Sequence, residues 1–421
     1  MSAEKRIKEL REELHKHNHL YYLEANPVIS DFEFDTLLKE LEKLEKENPQ
    51  FDDVNSPTKR VGSDINSEFE QGRHAFPMLS LSNTYSVEEL RDFDAKIAKL
   101  LETTEYSYVC ELKFDGSSIS LTYENGSLIR ATTRGDGTKG DVVTQNIRTI
   151  RSIPLSLSAP YPALFEARGE ILMPISVFDE INKKRAEAEE QLLANPRNAA
   201  AGTLKQQKSA IVAQRKLDAF IYGLATTDNP ADSHYENLMA AKRMGFKVSE
   251  HSQKCKNIDE VIKYIENADE LRHTLNYATD GVVIKVDLLE QQELLGFTSK
   301  SPRWATAYKF KAEQALTTLE SVDFQVGRTG NVTPVANLKA VQLAGTVVKR
   351  ASLHNEDIIN ELDLHYGDSV FIEKGGEIIP KVTAVEKSMR PKNAPKVVFV
   401  DSCPECGTKL KKDEGEAQHY C

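Results

Sequence analysis

The segment Glu111-Leu112-Lys113-Phe114-Asp115-Gly116 puts a lysine at the end of a strand-like run, an acid two residues later and then a glycine. Such a lysine suits a nucleophilic amine, provided nearby cations and partial burial favour its neutral form. The same six residues also fit a surface lysine at a strand end before a turn. Glu166-Ala167-Arg168-Gly169-Glu170 sets two acids and a cation around a glycine, and Asp280-Gly281-Val282-Val283-Ile284-Lys285 puts an acid and a lysine at opposite ends of an apolar strand. Ser301-Pro302-Arg303-Trp304 opens a run to Lys311 that brings the only tryptophan beside alternating cations, Lys309 among them. Asn195–Gly202 is a small-residue turn carrying Arg197. Each of these alone reads as readily as a solvated strand end, a turn or a helix start.

Cys403-Pro404-Glu405-Cys406-Gly407 has the spacing of a zinc knuckle, in which proline and glycine shape a tight turn towards one metal. Cys421 follows after fourteen intervening residues as a third ligand, and it is the last residue. The incomplete tetrad leads us to expect a tail that is disordered and either metal-free or weakly loaded. Gly135-x-Gly137-x-x-Gly140 formally matches a dinucleotide-binding fingerprint. It leads into Val142-Val143-Thr144 rather than a clear amphipathic helix, and Ala159–Tyr161 stand where the acid should be, so a hydride-transferring fold is rejected.

These residues need elements to position them. Residues 1 to about 50 read as two short helices, with Ile7, Leu10 and Leu14, then Leu37, Leu38, Leu41 and Leu44, at helical spacing. Asn26-Pro27 breaks the pattern, and Ser30 or Asp31 caps the second helix, with Glu33 reaching back to Ser30. From about 70 to 316, strands mix with helices. Tyr106–Leu112 and Ile119–Tyr123 read as strands, and Glu124-Asn125-Gly126 as a hairpin turn into Ser127–Thr133. Residues 176–194 read as a helix, and Ala219–Gly223 and Gly281–Val286 as short strands. From about 317 to 395, glycine-punctuated β segments suggest a small barrel, with Pro391–Pro395 as a linker.

The chain has 421 residues, which favours two to four domains. No apolar run approaches the roughly 20 residues of a membrane span. The start, Met1-Ser-Ala-Glu-Lys-Arg, opens into a charged helical pattern without the apolar core of a signal peptide. Five cysteines in so long a chain are no disulfide framework, which points to reducing cytosol. With 54 Lys and Arg against 65 Asp and Glu, the formal charge of −11 excludes a generally basic nucleic-acid coat but leaves room for a local basic channel.

Together and in this order, the five segments resemble the nucleotidyltransferase motif set shared by DNA ligases, RNA ligases and mRNA capping enzymes. With Arg134-Gly135-Asp136-Gly137 and Asn195–Gly202, the wording is similar to that of the bacterial NAD-dependent DNA ligases, from about Glu9 to Cys421. The resemblance implies an α+β multidomain chain. It would have a helical NAD-recognition module at 1–68, a nucleotidyltransferase (ATP-grasp-like DNA ligase) core at 69–316, an OB-fold barrel at 317–395 and an incomplete zinc finger at 396–421. It further implies a C-terminally truncated chain, since the family continues with another cysteine and further domains.

The implied activity is NAD-dependent sealing of nicked duplex DNA in replication and repair, by a cytoplasmic, nucleoid-associated and monomeric protein. Lys113 is the residue adenylylated. Lys285, Lys309 and Arg197, with Mg²⁺ (or Mn²⁺), neutralise phosphate charge, and Asp115 and Asp280 order the lysines or the metal. Ser80 and Leu81, within Pro77–Leu81, line the adenosine pocket, and Glu111 reads the adenine amino group. Arg134 and Arg197 contact phosphate or ribose, and Glu170 the ribose. The pattern His17…Tyr21-Tyr22…Pro27…Asp31-Phe32-Glu33-Phe34-Asp35 corresponds to the nicotinamide-binding residues. There Tyr21 and Tyr22 would meet the nicotinamide side and Asp31 with Asp35 its amide and ribose, while Phe34 departs from the usual tyrosine. Arg328 and Lys205 would contact DNA, Lys205 standing where many relatives have arginine. Cys403, Cys406 and Cys421 would be Zn²⁺ ligands. Two alternatives are an ATP-using relative, which needs no 1–68 module, and a non-catalytic DNA clamp.

Overall fold

The computed structural model describes residues 3–22, 31–51, 53, 56–60, 69–298, 301–310, 313–327, 330–343, 346–375, 379–412 and 417–421. They fall into two units, Met1–Phe310 and Lys311–Cys421.

The first unit begins with helices Ala3–Tyr22 and Asp31–Glu47. Their apolar residues lie on facing stripes, so Ile7, Leu10 and Leu14 bury against Leu41, with Leu37, Leu38 and Leu44 around them. Outside that seam, Arg6 makes a two-pronged pair with Glu40, and Arg11 bonds both Glu45 and the carbonyl of Phe51. The expected break at Asn26-Pro27 and the cap at Ser30 lie outside the described residues.

The rest of this unit is built on two antiparallel sheets. One has the strand order Ser82–Thr84, Ala305–Lys309, Thr279–Val286, Tyr108–Phe114, Gln253–Cys255, with the first pair parallel. Tyr108, Cys110 and Leu112 alternate with Glu111 and Lys113, so one face of the strand Tyr108–Phe114 is apolar. That face joins Val282, Ile284 and Val286 under helices Val87–Leu101 and Ile258–Leu271. The second sheet runs Ser127–Thr133, Ser117–Glu124, Leu164–Leu172, Asp218–Ala225. Its inner residues Ile119, Leu121, Ala167, Ile171 and Ile221 form the largest core with Leu204, Leu238 and Phe246.

The hairpin expected at Asn125-Gly126 is present, with both residues at positive φ (48° and 77°) as a two-residue primed turn needs. The helix expected over 176–194 spans Ile175–Glu187. Glu189 turns left-handed, and Asn182 then exchanges hydrogen bonds with the backbone of Leu193, so 188–194 leaves the helix as a turn and irregular chain. The G-x-G-x-x-G stretch is a tight turn with Gly135 and Gly137 at positive φ, followed by the short strand Lys139–Asp141.

In the second unit, strands Gln314–Val326, Ser369–Gly375, Ile379–Val385, Thr346–Ser352 and Asn331–Leu343 pair in that order, and the last pairs back with the first. The sheet thus closes into the small five-stranded barrel that the glycine spacing suggests. Two expectations for the chain's end need correcting. Pro391–Pro395 is no free linker, because its carbonyls accept hydrogen bonds from Tyr366 and His365 of the barrel. The described residues of the cysteine tail pack on the barrel, against the expected disorder: Cys403 and Leu410 join its core, and His419–Tyr420 adds a strand against Asn331–Val332.

Candidate active site

Antiparallel pairing sets Gly281 directly across from Lys113 on one side and Lys309 on the other. Because residues opposite one another share a face, both lysines project from the polar face of the sheet. A bulge at Asp280 swings its carboxylate between them. Lys113 Nζ donates to Asp280 Oδ1 at 2.8 Å and Oδ2 at 2.9 Å, and Lys309 Nζ lies 3.6 Å from Oδ2. Gly281 permits the closeness, since a Cβ there would stand 2.0 Å from the carbonyl oxygen of Tyr308.

Asp115, past the end of the lysine strand, accepts a hydrogen bond from Arg197 at 2.9 Å. Asn195 caps the helix Pro196–Leu204 and so fixes where Arg197 starts. Burial pushes the Asp115 carboxyl up, and Arg197 and Lys113 offset only part of that rise. From the facing sheet, Glu170 accepts from the Ser118 hydroxyl at 2.8 Å, the two being cross-strand partners. Burial pushes Glu170 up to about 7 despite that bond and the charges of Lys113 and Arg197. Behind Lys113, Phe114 stacks on Phe220 of the second sheet with centroids 4.5 Å apart and planes 9° apart. Tyr277 packs edge-on against both rings, and its hydroxyl joins Lys247 on Asp218.

A second polar cluster lies two residues back along the same strand. Glu111 is almost wholly buried, yet its Oε1 is 2.7 Å from Lys285 Nζ and 2.8 Å from His234 Nε2. Lys285 also donates to the carbonyl of Tyr222 at 2.9 Å and stands 3.0 Å from His234 Nε2. Burial works to raise the Glu111 carboxyl, but Lys285 and His234 outweigh it and hold it below the usual range. Burial, then the charge of Lys285, lowers His234, which favours the neutral imidazole.

The two clusters occupy one cavity of about 930 Å³ between the sheets. Ser80, Leu81, Glu111, Lys113, Asp115, Arg134, Glu170, Arg197, Asp280, Lys285 and Lys309 all line it. Its rim at Phe76–Leu81 is pinned from below. Arg168 donates to the carbonyls of Phe76 and Pro77, Glu166 accepts from Ala75 N, and Met78 N donates to Gly137 O. One end therefore holds a lysine amine among cations and carboxylates, suited to attack on a phosphorus atom. The other presents a paired acceptor and donor, suited to the edge of a planar heterocycle.

Lys285 stands apart from Lys113 and Lys309, with which the resemblance groups it. It faces Val109 and Ala305, four residues or roughly 13 Å along the strand from Gly281, and its amine is engaged at the Glu111 end rather than the Lys113 end. Lys205 lies outside the cavity, 2.6 Å from Asp141. Arg328 and the side chains of Tyr21, Tyr22, Asp31 and Asp35 lie outside the described residues. His234, Tyr222, Ser118 and Phe220 were not singled out from sequence, and Arg168 stood out only as the cation of its motif. A Ser233…Glu236 capping pattern could have located the helix that opens with His234, but not its partners 123 and 51 residues away.

In the second unit, Cys403, Cys406 and Cys421 bring their sulfurs within 4.8 Å of one another. Zn²⁺ with Zn–S bonds of about 2.3 Å needs S···S edges of roughly 3.8 Å, and since Cys406 and Cys421 stand 3.3 Å apart, a small spreading of the sulfurs would give three corners of a tetrahedron. Hydrogen bonding with Thr408 lowers the Cys406 thiol to about 7, which favours the thiolate a metal binds. Cys421 is held in register because its N–H donates to Gly330 O at 2.9 Å.

Residues 66–313 match the family model described as the NAD-dependent DNA ligase adenylation domain, and 316–394 the corresponding OB-fold domain. Residues 1–62 match the DNA ligase-like, N-terminal NAD+-binding domain, and 402–421 the C4 zinc finger domain of the same ligases. Proteins named DNA ligase from Bacteroides fragilis and Parabacteroides distasonis are each 60% identical over 422 residues, and that of Phocaeicola vulgatus 59%. Each of these alignments covers 100% of this chain and 63% of the relative.

Proposed function

Because this chain belongs to the NAD-dependent DNA ligase family, we propose that it takes an adenylyl group from NAD onto Lys113 and passes it to the 5′-phosphate at a nick in duplex DNA. The observation that carries this reading is the meeting of Lys113, Asp280, Lys309, Asp115 and Arg197 at one end of a pocket whose other end holds Glu111 and Lys285. Attack needs the free amine, so Lys113 first gives up a proton, and Asp280 is the carboxylate in reach to receive it. The Nζ–P bond then forms as the pyrophosphate P–O bond breaks, and nicotinamide mononucleotide leaves. Lys309 and Arg197 stand where they can offset the charge gathering on the phosphoryl oxygens.

In the later steps a DNA 5′-phosphate oxygen displaces Lys113 from the adenylyl phosphorus. The 3′-hydroxyl then attacks the activated 5′-phosphate and releases AMP. Adenine would lie at the Glu111 end, ribose beside Glu170, and residues 1–68 would close on the nicotinamide half through Tyr21, Tyr22, Asp31 and Asp35. Asp115 and Asp280 would hold Mg²⁺ (or Mn²⁺), which binds through one or two carboxylates together with substrate phosphates and would supply charge neutralisation there. Cys403, Cys406 and Cys421 would hold a structural Zn²⁺. Arg328 and Lys205 are the candidates for contact with the DNA backbone.

Among the described residues no helix is long and apolar enough to cross a membrane. We read the protein as a cytoplasmic, nucleoid-associated monomer acting in replication and repair, with the boundaries 1–68, 69–316, 317–395 and 396–421. The test is intact mass after stripping with excess nicotinamide mononucleotide, then incubation with NAD or ATP and Mg²⁺. One AMP gained from NAD alone, mapped to Lys113 and lost in Lys113→Ala, is expected. A gain from ATP alone would overturn the donor, and an adduct surviving Lys113→Ala would overturn the mechanism.

A further inference from the structure

Three atoms at the far end of the pocket form a triangle: Glu111 Oε1, Lys285 Nζ and His234 Nε2, with sides of 2.7, 2.8 and 3.0 Å. A neutral imidazole nitrogen either donates or accepts, so Nε2 can serve only one of its two neighbours. With a bare Nε2, its lone pair would face the Glu111 carboxylate at 2.8 Å and take a proton of Lys285. With Nε2–H, the ring donates to a buried carboxylate, a charge-assisted bond. Lys285, already donating to Glu111 Oε1 and Tyr222 O, then keeps its third proton for the pocket. Both contacts to Glu111 fall on Oε1, so its other oxygen takes part in neither.

The backbone fixes His234 in this position. It is the first residue of the helix His234–Met244, and its N–H donates to Asp287 O at 2.7 Å. The next N–H, of Tyr235, donates to Asp287 Oδ1 at 3.0 Å. Asp287 lies two residues beyond Lys285, so the imidazole and the ammonium are mounted on one backbone junction.

We propose that His234 is a specificity-determining positioning residue: by donating to Glu111 Oε1 it holds Glu111 as an acceptor and leaves Lys285 a proton to give, so that the pocket takes adenine and refuses hypoxanthine. This rests on the reading of the pocket as an adenylyl site. Adenine offers an amino donor beside a ring-nitrogen acceptor, the complement of a carboxylate beside an ammonium. Hypoxanthine offers a carbonyl acceptor beside an N–H donor, the reverse pattern, and leaves both protein groups opposed.

The test compares wild type, His234→Ala and His234→Gln, in the whole 421-residue chain, for single-turnover Lys113 adenylylation by NAD and by nicotinamide hypoxanthine dinucleotide. Glutamine can place an N–H near the position of Nε2. For His234→Ala we expect the preference for NAD to fall tenfold or more, mainly through a higher KM for NAD. His234→Gln should recover most of that preference. An unchanged preference, equal slowing with both donors, or a glutamine variant no better than alanine would each overturn the proposal. AMP and IMP affinities by calorimetry on the same proteins give the preference without adduct chemistry, with unfolding temperatures measured alongside. Absence of any wild-type adduct with NAD would sink the adenylyl-transfer reading instead, while the AMP-to-IMP ratio would still decide the role of His234.

Discussion

Lys113 and Asp280 lie 167 residues apart in the chain, yet the lysine gives both oxygens of that carboxylate a hydrogen bond, at 2.8 and 2.9 Å. The lysine is thus ion-paired in this structure, whereas the sequence reading looked for cations to keep it neutral. Cations are present too, since Lys309 approaches the same carboxylate at 3.6 Å. Asp280→Asn keeps the shape and removes the charge and the proton acceptor. We expect lysyl-AMP formation to slow by about 10²–10³-fold. Rapid-quench mass measurement checks it, and a loss below threefold would mean that another group takes the proton.

Glu170 gives a dependence on pH whose sign follows from its raised value. In the unfolded chain this carboxyl titrates near 4.5, but in the folded protein near 7. Between those limits the folded state holds the extra proton, so stability falls as pH rises through the window. Glu170→Gln keeps an acceptor for Ser118 and removes the titration. The variant should gain on wild type from pH 5 upward, by about 2 kcal/mol above pH 8. Urea unfolding at pH 5 and pH 8 measures the difference, and equal gaps at the two values would refute the assignment.

Gly281 is required by space rather than by backbone freedom. Its φ is not among the positive ones, but an added Cβ would press on the Tyr308 carbonyl at 2.0 Å and force the Lys309 strand outward. Gly281→Ala should cost about 3 kcal/mol of stability. It should also separate Lys309 from Asp280 and suppress adduct formation at temperatures where the variant is still folded. Denaturant titration with a parallel adduct assay tests both parts.

The cysteine triad should bind a thiophilic divalent ion. Co²⁺ titration should give thiolate charge-transfer absorption saturating at one ion per chain, displaced by Zn²⁺. Cys406→Ser should weaken Zn²⁺ binding by tenfold or more. Binding unaffected by that change would place the ion elsewhere.

Much of the fold was legible because local pattern and tertiary role coincide. Ile7, Leu10 and Leu14 repeat at helical spacing and are buried for that reason, and Asn125-Gly126 turns where its dihedral freedom is needed. Among the pocket residues, Lys113, Asp280 and Lys285 stood out because a charge at the end of an apolar strand is conspicuous in sequence, whereas Ser80, Leu81 and Arg134 were found only through the family resemblance. Lys285 shows where that kind of reading stops. Its motif marks it as chemical, but only the register against Val109 and Ala305 tells which end of the sheet it serves. His234 is further from view, since its significance lies wholly in two partners distant in the chain. The tail was misjudged because Cys403, Leu410 and the His419–Tyr420 strand draw their order from barrel contacts that ligand counting ignores.

The position of the lysine strand also governs when the site can come into being on a ribosome. Tyr108–Phe114 is bordered by Gln253–Cys255 and Thr279–Val286, both made long after it. Until those segments emerge, the strand that carries Lys113 has two open edges, and its apolar face has the helix Val87–Leu101 but not Ile258–Leu271 to cover it. Such a sheet cannot be assembled stepwise from its N-terminus and must wait for late, long-range pairing, which slows folding. A nascent chain stalled before about residue 279 would carry the nucleophile with Asp115 and Glu170, but neither Asp280 nor Lys309, and Glu111 without Lys285. Nucleotide capture can therefore begin only once nearly all of the first unit has been synthesised.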